Sequence, residues 1–356
     1  MSTADRLRSA LSRFPRVPLA HRPTPLQRLE RLGRVLAPCS LTIKRDDQTG
    51  LAFGGNKARK LEFIMADALE QGADTIVTWA GVQSNWCRQV AAACCQLGLR
   101  SVLVLVKKPG ASVAEDGNLL LDRIFDADVR VVEGAEGRSF LELENVREHV
   151  DPVLEEVRAA GRSPYLAPVG GSLLEGSMLR PLGALGYVDA FLELYLQARD
   201  QGVKLDSLVL ATGSAGTQAG LLAGAKLLSP RTRIVGISVA ADSATVGGYV
   251  KEIAERTLQE LSERPDVTPD EVIVYDDYLD QGYGVLNQPV CDAVRLCARE
   301  EGLLLDPVYT GKSMAGLLDL ADQGFFREDE GVVFLHTGGT PALFPYRDGI
   351  LELMND

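Results

Sequence analysis

Short runs of β-branched and aliphatic residues alternate along the chain with longer stretches in which apolar residues recur every three or four positions. The short runs are Thr75–Trp79, Ser101–Val106, Val129–Val132, Ser207–Ala211, Ile234–Val239, Val272–Tyr275 and Val332–His336. Several are apolar without interruption, the pattern of strands covered on both faces. The longer stretches predict helices over Lys57–Gln71, Asn85–Leu97, Glu115–Phe125, Ser139–Ala160, Tyr187–Gln201, Thr217–Leu228, Tyr249–Ser262, Gln288–Glu301 and Lys312–Asp322. In the first, Leu61, Ile64, Met65 and Leu69 form one stripe; the second is rich in alanine and suited to close packing. Such alternation predicts an α/β architecture with mostly parallel sheets and right-handed crossovers. The basic stretch Arg22–Arg34 alternates with leucines and reads as helix surface. No repeat of fixed period is present.

Composition narrows the picture. With 356 residues and 46% hydrophobic content, the chain can build more core than one ordinary domain needs, so two or three units are expected. A net charge of −12 without a basic patch argues against a nucleic-acid partner. No apolar run reaches the ~18 residues of a membrane span. The start, MSTADRLRSALSRFPRV, has no apolar core of a signal peptide and reads as cytoplasmic. Six cysteines without a C-x-x-C pair, and only three histidines, predict no metal site. Cys94 and Cys95 read as buried small apolar residues of a reducing compartment.

The candidate chemistry sits at glycine-containing turns. Gly54-Gly55-Asn56-Lys57 places a lysine at a helix start. There the positive end of the helix dipole favours the neutral amine that Schiff-base formation requires. The segment reads equally well as a solvated helix start. Gln83-Ser84-Asn85 follows a strand; its backbone N–H groups suit a carboxylate, and an ordinary N-cap is the competing reading. Thr212-Gly213-Ser214-Ala215-Gly216-Thr217 lies between a buried strand and a small-residue helix. Its N–H groups, hydroxyls and helix dipole make a phosphate cradle, although it matches no nucleotide-loop motif. Gly282-Tyr283-Gly284, Asp306-Pro307-Val308-Tyr309-Thr310-Gly311-Lys312 and His336-Thr337-Gly338-Gly339-Thr340-Pro341 are further polar turns. Each, taken singly, is more often structural.

Together these segments resemble one family. The order SLTIKRDD, GGNKARKLEF, GVQSN, RQVAA, PVGGS, GALGYV, ATGSAGTQAG, GYG, LLLDPVYTGKSMAGL, HTGGTPALF, running from about Pro23 to Phe344, is similar to the D-cysteine desulfhydrase and 1-aminocyclopropane-1-carboxylate deaminase family. The resemblance implies a tryptophan synthase β-like fold, fold type II of the pyridoxal-phosphate enzymes. Two open, twisted, mostly parallel sheets would be flanked by helices, with the active site between the domains. The larger domain would comprise residues 1–60 plus 170–356, and the smaller 61–169. It implies pyridoxal 5'-phosphate as cofactor, a small amino-acid substrate and a homodimer. By the same resemblance Lys57 is the Schiff-base lysine and Asn85 binds the ring hydroxyl. Asn56 joins the cofactor site, and Thr212, Gly213, Ser214, Ala215, Gly216 and Thr217 hold the phosphate. Tyr283 and Tyr309 flank ring and substrate with catalytic roles, as does Ser84 beside the substrate. Gln83, Trp86 and Gly170 complete the substrate side. Thr310 and Thr337 stand where ring-opening relatives carry Glu and Leu, which points to β-elimination with a weaker electron sink at the ring nitrogen.

The implied reaction converts D-cysteine to pyruvate, hydrogen sulfide and ammonia. Alternatives are an L-cysteate sulfo-lyase, a 1-aminocyclopropane-1-carboxylate deaminase and a non-catalytic small-molecule-binding protein, which the presence of Lys57 disfavours. Two features depart from the resemblance. Trp79 and Trp86-Cys87 replace smaller or polar residues, and read equally as pocket or core. The segment Leu173–Leu182 is longer than expected, and Arg180 within it is a candidate for binding a second anionic group.

Overall fold

The structure, a computed structural model, describes residues 2–355 except 38, 136–138, 280 and 281. Ten strands form two sheets among the described residues. They are β1 (Leu26–Arg28), β2 (Ser40–Lys44), β3 (Thr75–Gly81), β4 (Arg100–Lys107), β5 (Asp128–Glu133), β6 (Pro164–Ala167), β7 (Ser207–Thr212), β8 (Arg233–Ser238), β9 (Ile273–Tyr275) and β10 (Gly331–Leu335). The larger sheet has the order β1-β2-β10-β7-β8-β9, parallel throughout except for the β1–β2 edge. The smaller, β5-β4-β3-β6, is wholly parallel.

Helices alternate with these strands. They are α1 (Thr3–Leu11), α2 (Lys57–Glu70), α3 (Asn85–Leu97), α4 (Gly117–Ile124), α5 (Arg147–Ala159), α6 (Leu182–Gln201), α7 (Gly216–Leu228), α8 (Ser243–Glu260), α9 (Gln288–Glu301), α10 (Thr310–Asp322) and α11 (Arg347–Asn355). Every residue of β3, β7 and β10 is buried, because helices cover both faces of the central strands. The architecture is thus the expected α/β arrangement of two mostly parallel sheets flanked by helices. No helix is long and apolar enough to cross a membrane among the described residues.

All seven apolar runs are strands, with ends shifted by a residue or two. Three strands carried no such signal. β6 is short and has no β-branched residue, and β1 and β2 form the antiparallel edge. The Arg22–Arg34 stretch is not a helix surface. Pro23 and Pro25 remove backbone donors, and β1 followed by one short helical turn, Leu32–Arg34, results. The predicted helix over Ser139–Ala160 begins only at Arg147. The preceding residues are drawn out of helical form by tertiary partners: Leu143 N–H donates to the Glu175 carboxylate at 3.1 Å, and the Tyr249 hydroxyl donates to Glu142. Of the adjacent cysteines, Cys94 is buried as expected, whereas Cys95 is exposed and donates to Phe125 O at 3.3 Å.

Candidate active site

The strand ends of both sheets open into one cavity. From the smaller sheet come the end of β3 and the turn into α3; from the larger come the end of β7 and the turn into α7. Asn56, Lys57, Ser84, Asn85, Trp86, Gly170, Thr212, Gly213, Ser214, Ala215, Thr217, Tyr283, Tyr309 and Thr337 all line it. Segments from both ends of the chain and from its middle are thereby brought together. Gln83, Gly216 and Thr310 stand behind the wall. The Gln83 side chain binds the start of α4, accepting from Asn118 N–H at 2.9 Å and donating to Asp116 O at 3.0 Å. The Thr310 hydroxyl donates to Asp306 Oδ1 at 2.7 Å and accepts from Asp306 N–H at 2.8 Å.

Lys57 opens α2, whose N-cap, Asn56, makes no side-chain capping bond. The Lys57 amine has no hydrogen-bond partner among the described residues, and burial lowers its pKa to about 8. Its turn is clamped by Asn56 N–H donating to Thr337 O at 3.0 Å, and by Arg88 donating to Gly54 O at 2.9 Å. From behind, Arg59 pairs with Asp46 (2.9 Å) and Glu193 (2.8 Å) in the interior, and Tyr187 donates to Asp46 at 2.7 Å. Leaving one member of such a buried pair unpartnered costs ~3–5 kcal/mol, so the start of α2 is firmly held.

The α7 turn has an unfinished appearance. Ala215, its N-cap, adopts φ 65° and offers no side-chain cap; Gly216 N–H donates to Ser214 O at 2.8 Å, and among the described residues no side chain accepts from the N–H groups of this first turn. Thr212 Oγ1 is buried without a hydrogen-bond partner. Behind the turn lies Lys60, which sequence reasoning did not single out. The buried Lys60 Nζ donates to Gly170 O (2.9 Å) and Ser172 Oγ (3.0 Å), and Ser172 contacts Ser214 Oγ at 2.9 Å. No carboxylate pairs with Lys60 among the described residues, and burial, then the charge of Lys57, holds its pKa well below the usual lysine value. A signal for it exists in the sequence: Lys57 and Lys60 are three apart and share a helix face. A bound phosphate would supply both the missing acceptor and the missing negative charge. Gly216 is needed for this packing, since a Cβ there would lie 2.5 Å from Ser172 Oγ and 3.1 Å from Lys60 Nζ.

The α3 turn is more complete. Ser84 caps its own helix, accepting from Trp86 and Cys87 N–H at 3.2 Å each. Asn85 Oδ1 accepts from Arg88 (3.2 Å) and Asn118 (3.0 Å), which orients its Nδ2 as the donor left for the cavity. That matches an oxygen on the cofactor ring. Tyr283 and Tyr309 hydroxyls share a hydrogen bond of 2.5 Å, and burial raises both pKa values, so both stay protonated. Trp86 reaches the wall but donates to Thr78 Oγ1 at 2.7 Å; Trp79 is core and donates to Phe140 O at 2.8 Å. Phe140 and Leu141 also line the cavity and were hidden inside the overlong predicted helix. Arg180, a candidate for a second anion, pairs instead with Glu260 at 3.0 Å and covers the Phe14 ring, away from the cavity wall.

The donor set, the uncapped helix and the lone amine fit pyridoxal phosphate, and comparisons with known proteins agree. Residues 17–338 match the family described as "Pyridoxal-phosphate dependent enzyme". The chain is 43% identical over 343 residues to a D-cysteine desulfhydrase of Klebsiella pneumoniae strain 342, covering 94% of this chain and 97% of that one. It is 43% identical over 345 residues to a D-cysteine desulfhydrase of Yersinia enterocolitica, covering 96% and 98%. A crystal structure of an ACC deaminase homologue superposes with TM-score 0.86 at 37% identity, covering 98% of this chain and 99% of that one. Threonine deaminase isoform 2 of Solanum lycopersicum shares the fold, with TM-score 0.64 at 18% identity, covering 99% and 88%. This chain belongs to the pyridoxal-phosphate-dependent enzymes.

Proposed function

We propose that the chain is a β-eliminating lyase that takes D-cysteine and water to pyruvate, hydrogen sulfide and ammonia. One observation carries the reading: Lys57 is the only charged side chain lining the cavity among the described residues, and it stands between two turns that can each hold an anion. Pyridoxal phosphate, when bound, withdraws electrons from the substrate's Cα and so makes its proton removable. The residues 212–217 and Lys60 would hold its phosphate. Asn85 would donate to its ring oxygen, and Lys57 would be its covalent anchor. The Ser84 turn takes the substrate carboxylate. Lys57 Nζ, when its amine is free, would accept the α-proton, and burial, which lowers its pKa to about 8, favours the neutral form that can do so. The Tyr283–Tyr309 hydroxyl pair, on the same cavity wall, would donate a hydrogen bond to a departing thiolate. Thr310, whose hydroxyl donates its hydrogen bond to Asp306, would offer the ring no charge.

Among the described residues no cation besides Lys57 lines the cavity for a sulfonate substrate, and Arg180 is engaged elsewhere. We also place the division at residues 1–60 plus 170–356 and 61–169. Six free thiols support a reducing, cytoplasmic setting, and exposed Ile124, Phe344 and Leu351 are available to a homodimer interface that sedimentation would detect. The test is 2-oxo acid release from D- and L-cysteine, cysteate, β-chloroalanine and 1-aminocyclopropane-1-carboxylate. D-Cysteine should lead, and Lys57→Ala should lower its rate at least ~10²–10⁴-fold and abolish the cofactor's bound visible band. Ring opening equal to or faster than elimination would overturn the reading.

A further inference from the structure

Phe140 belongs to no helix or strand, yet it is fixed from several sides. Its carbonyl accepts from the fully buried Trp79 at 2.8 Å, and its ring meets Tyr283 edge-on with centroids 5.4 Å apart. Gly81, at the end of β3, leaves room for both rings: a Cβ there would lie 3.3 Å from Tyr283 Cε1 and 3.4 Å from Phe140 Cζ. Just beyond, Leu143 is tied to Glu175, which lies in the long segment before α6. Trp79 thus anchors Phe140 directly, and the 173–182 segment holds Leu143, two residues beyond the wall residue Leu141.

That wall has a defined neighbour. Gly81 precedes Ser84 by three residues, so the Phe140 ring stands beside the turn that takes the substrate carboxylate, while the phosphate turn belongs to the other sheet. A substrate held by its carboxylate at the Ser84 turn, with its amine toward the cofactor and its α-hydrogen toward Lys57, has one remaining group on Cα to direct, its side chain. We propose that Phe140 is a specificity-determining residue: its anchored ring confines the substrate side chain to about the size of a thiol and turns away longer ones. This rests on the carboxylate placement above. A packed aromatic wall discriminates by steric exclusion, and removing it trades that exclusion for open volume.

The test separates binding from elimination. The cofactor-loaded enzyme is titrated with both enantiomers of alanine and of phenylalanine, which lack a leaving group, and the cofactor's visible absorption is followed. Wild type should bind alanine and discriminate against phenylalanine. Phe140→Ala should shift the Kd ratio toward phenylalanine by about tenfold or more, and Phe140→Leu by less. Phe140→Leu also keeps an apolar filler, so the ratio can still be measured if the alanine variant does not fold. A ratio within about twofold of wild type in a folded, cofactor-loaded variant would overturn the inference. If the ratio shifts but no protein releases a 2-oxo acid from cysteine, the elimination reading falls and the wall stands. If release occurs and the ratio holds, the wall alone falls.

Discussion

The starts of α7 and α3 look alike in sequence and differ in completeness. Each follows a buried strand and faces the same cavity. The α7 start has no side-chain cap and keeps an unpartnered buried hydroxyl, Thr212 Oγ1. The α3 start is capped by Ser84 through two backbone N–H groups. A buried helix end without a cap carries a free-energy cost that a resident ligand can remove. A capped end is stable alone and can release its ligand on every turnover. The difference teaches that the unfinished turn suits a cofactor that stays and the finished one a substrate that exchanges.

Perturbing each turn should break the comparison in a different place. The largest effect is expected from Gly216→Ala, which drives a methyl against Ser172 and Lys60. Cofactor retention on dialysis should fall about 100-fold, ~2.7 kcal/mol of binding, while Kd values for added amino acids to the residual loaded enzyme change little. Ser84→Ala should act oppositely. It loses ~1 kcal/mol of stability through the missing cap, visible in chemical denaturation, and raises KM for D-cysteine about tenfold with cofactor content unchanged. Equal cofactor loss in both variants would erase the distinction. Among the described side chains lining the cavity, the pH dependence of cofactor attachment belongs to Lys57. Its lowered pKa, about 8, means that the amine is protonated and unreactive below that value. The rate of cofactor attachment to the empty enzyme should therefore rise about tenfold per pH unit up to roughly pH 8 and level off above it. A rate flat from pH 6 to 9 would remove that amine from the site. The smallest effect is expected from Thr212→Val. Without cofactor it should leave the protein as stable or more stable, because an orphaned hydroxyl is lost, yet weaken cofactor binding several-fold. Destabilisation of the empty protein would show that Thr212 is satisfied within the fold.

The succession of central strands along the chain was legible in the sequence because fully covered strands must be continuously apolar, as in β3, β7 and β10. Lys57, the Ser84 turn and the 212–217 turn were legible because glycines, hydroxyls and helix starts have local chemistry that survives without a fold. The edge strand β1, its neighbour β2 and the short β6 were not, since their short runs gain strand form only from their pairing partners. Only the tertiary structure decided that Phe140 lies on the cavity wall rather than in a helix, that Lys60 reaches behind the phosphate turn, that Arg180 serves Glu260, and that Thr310 is bound to Asp306. The first three contacts join residues far apart in sequence and the last closes the turn before α10, and periodicity records which face a residue takes but not what it meets there.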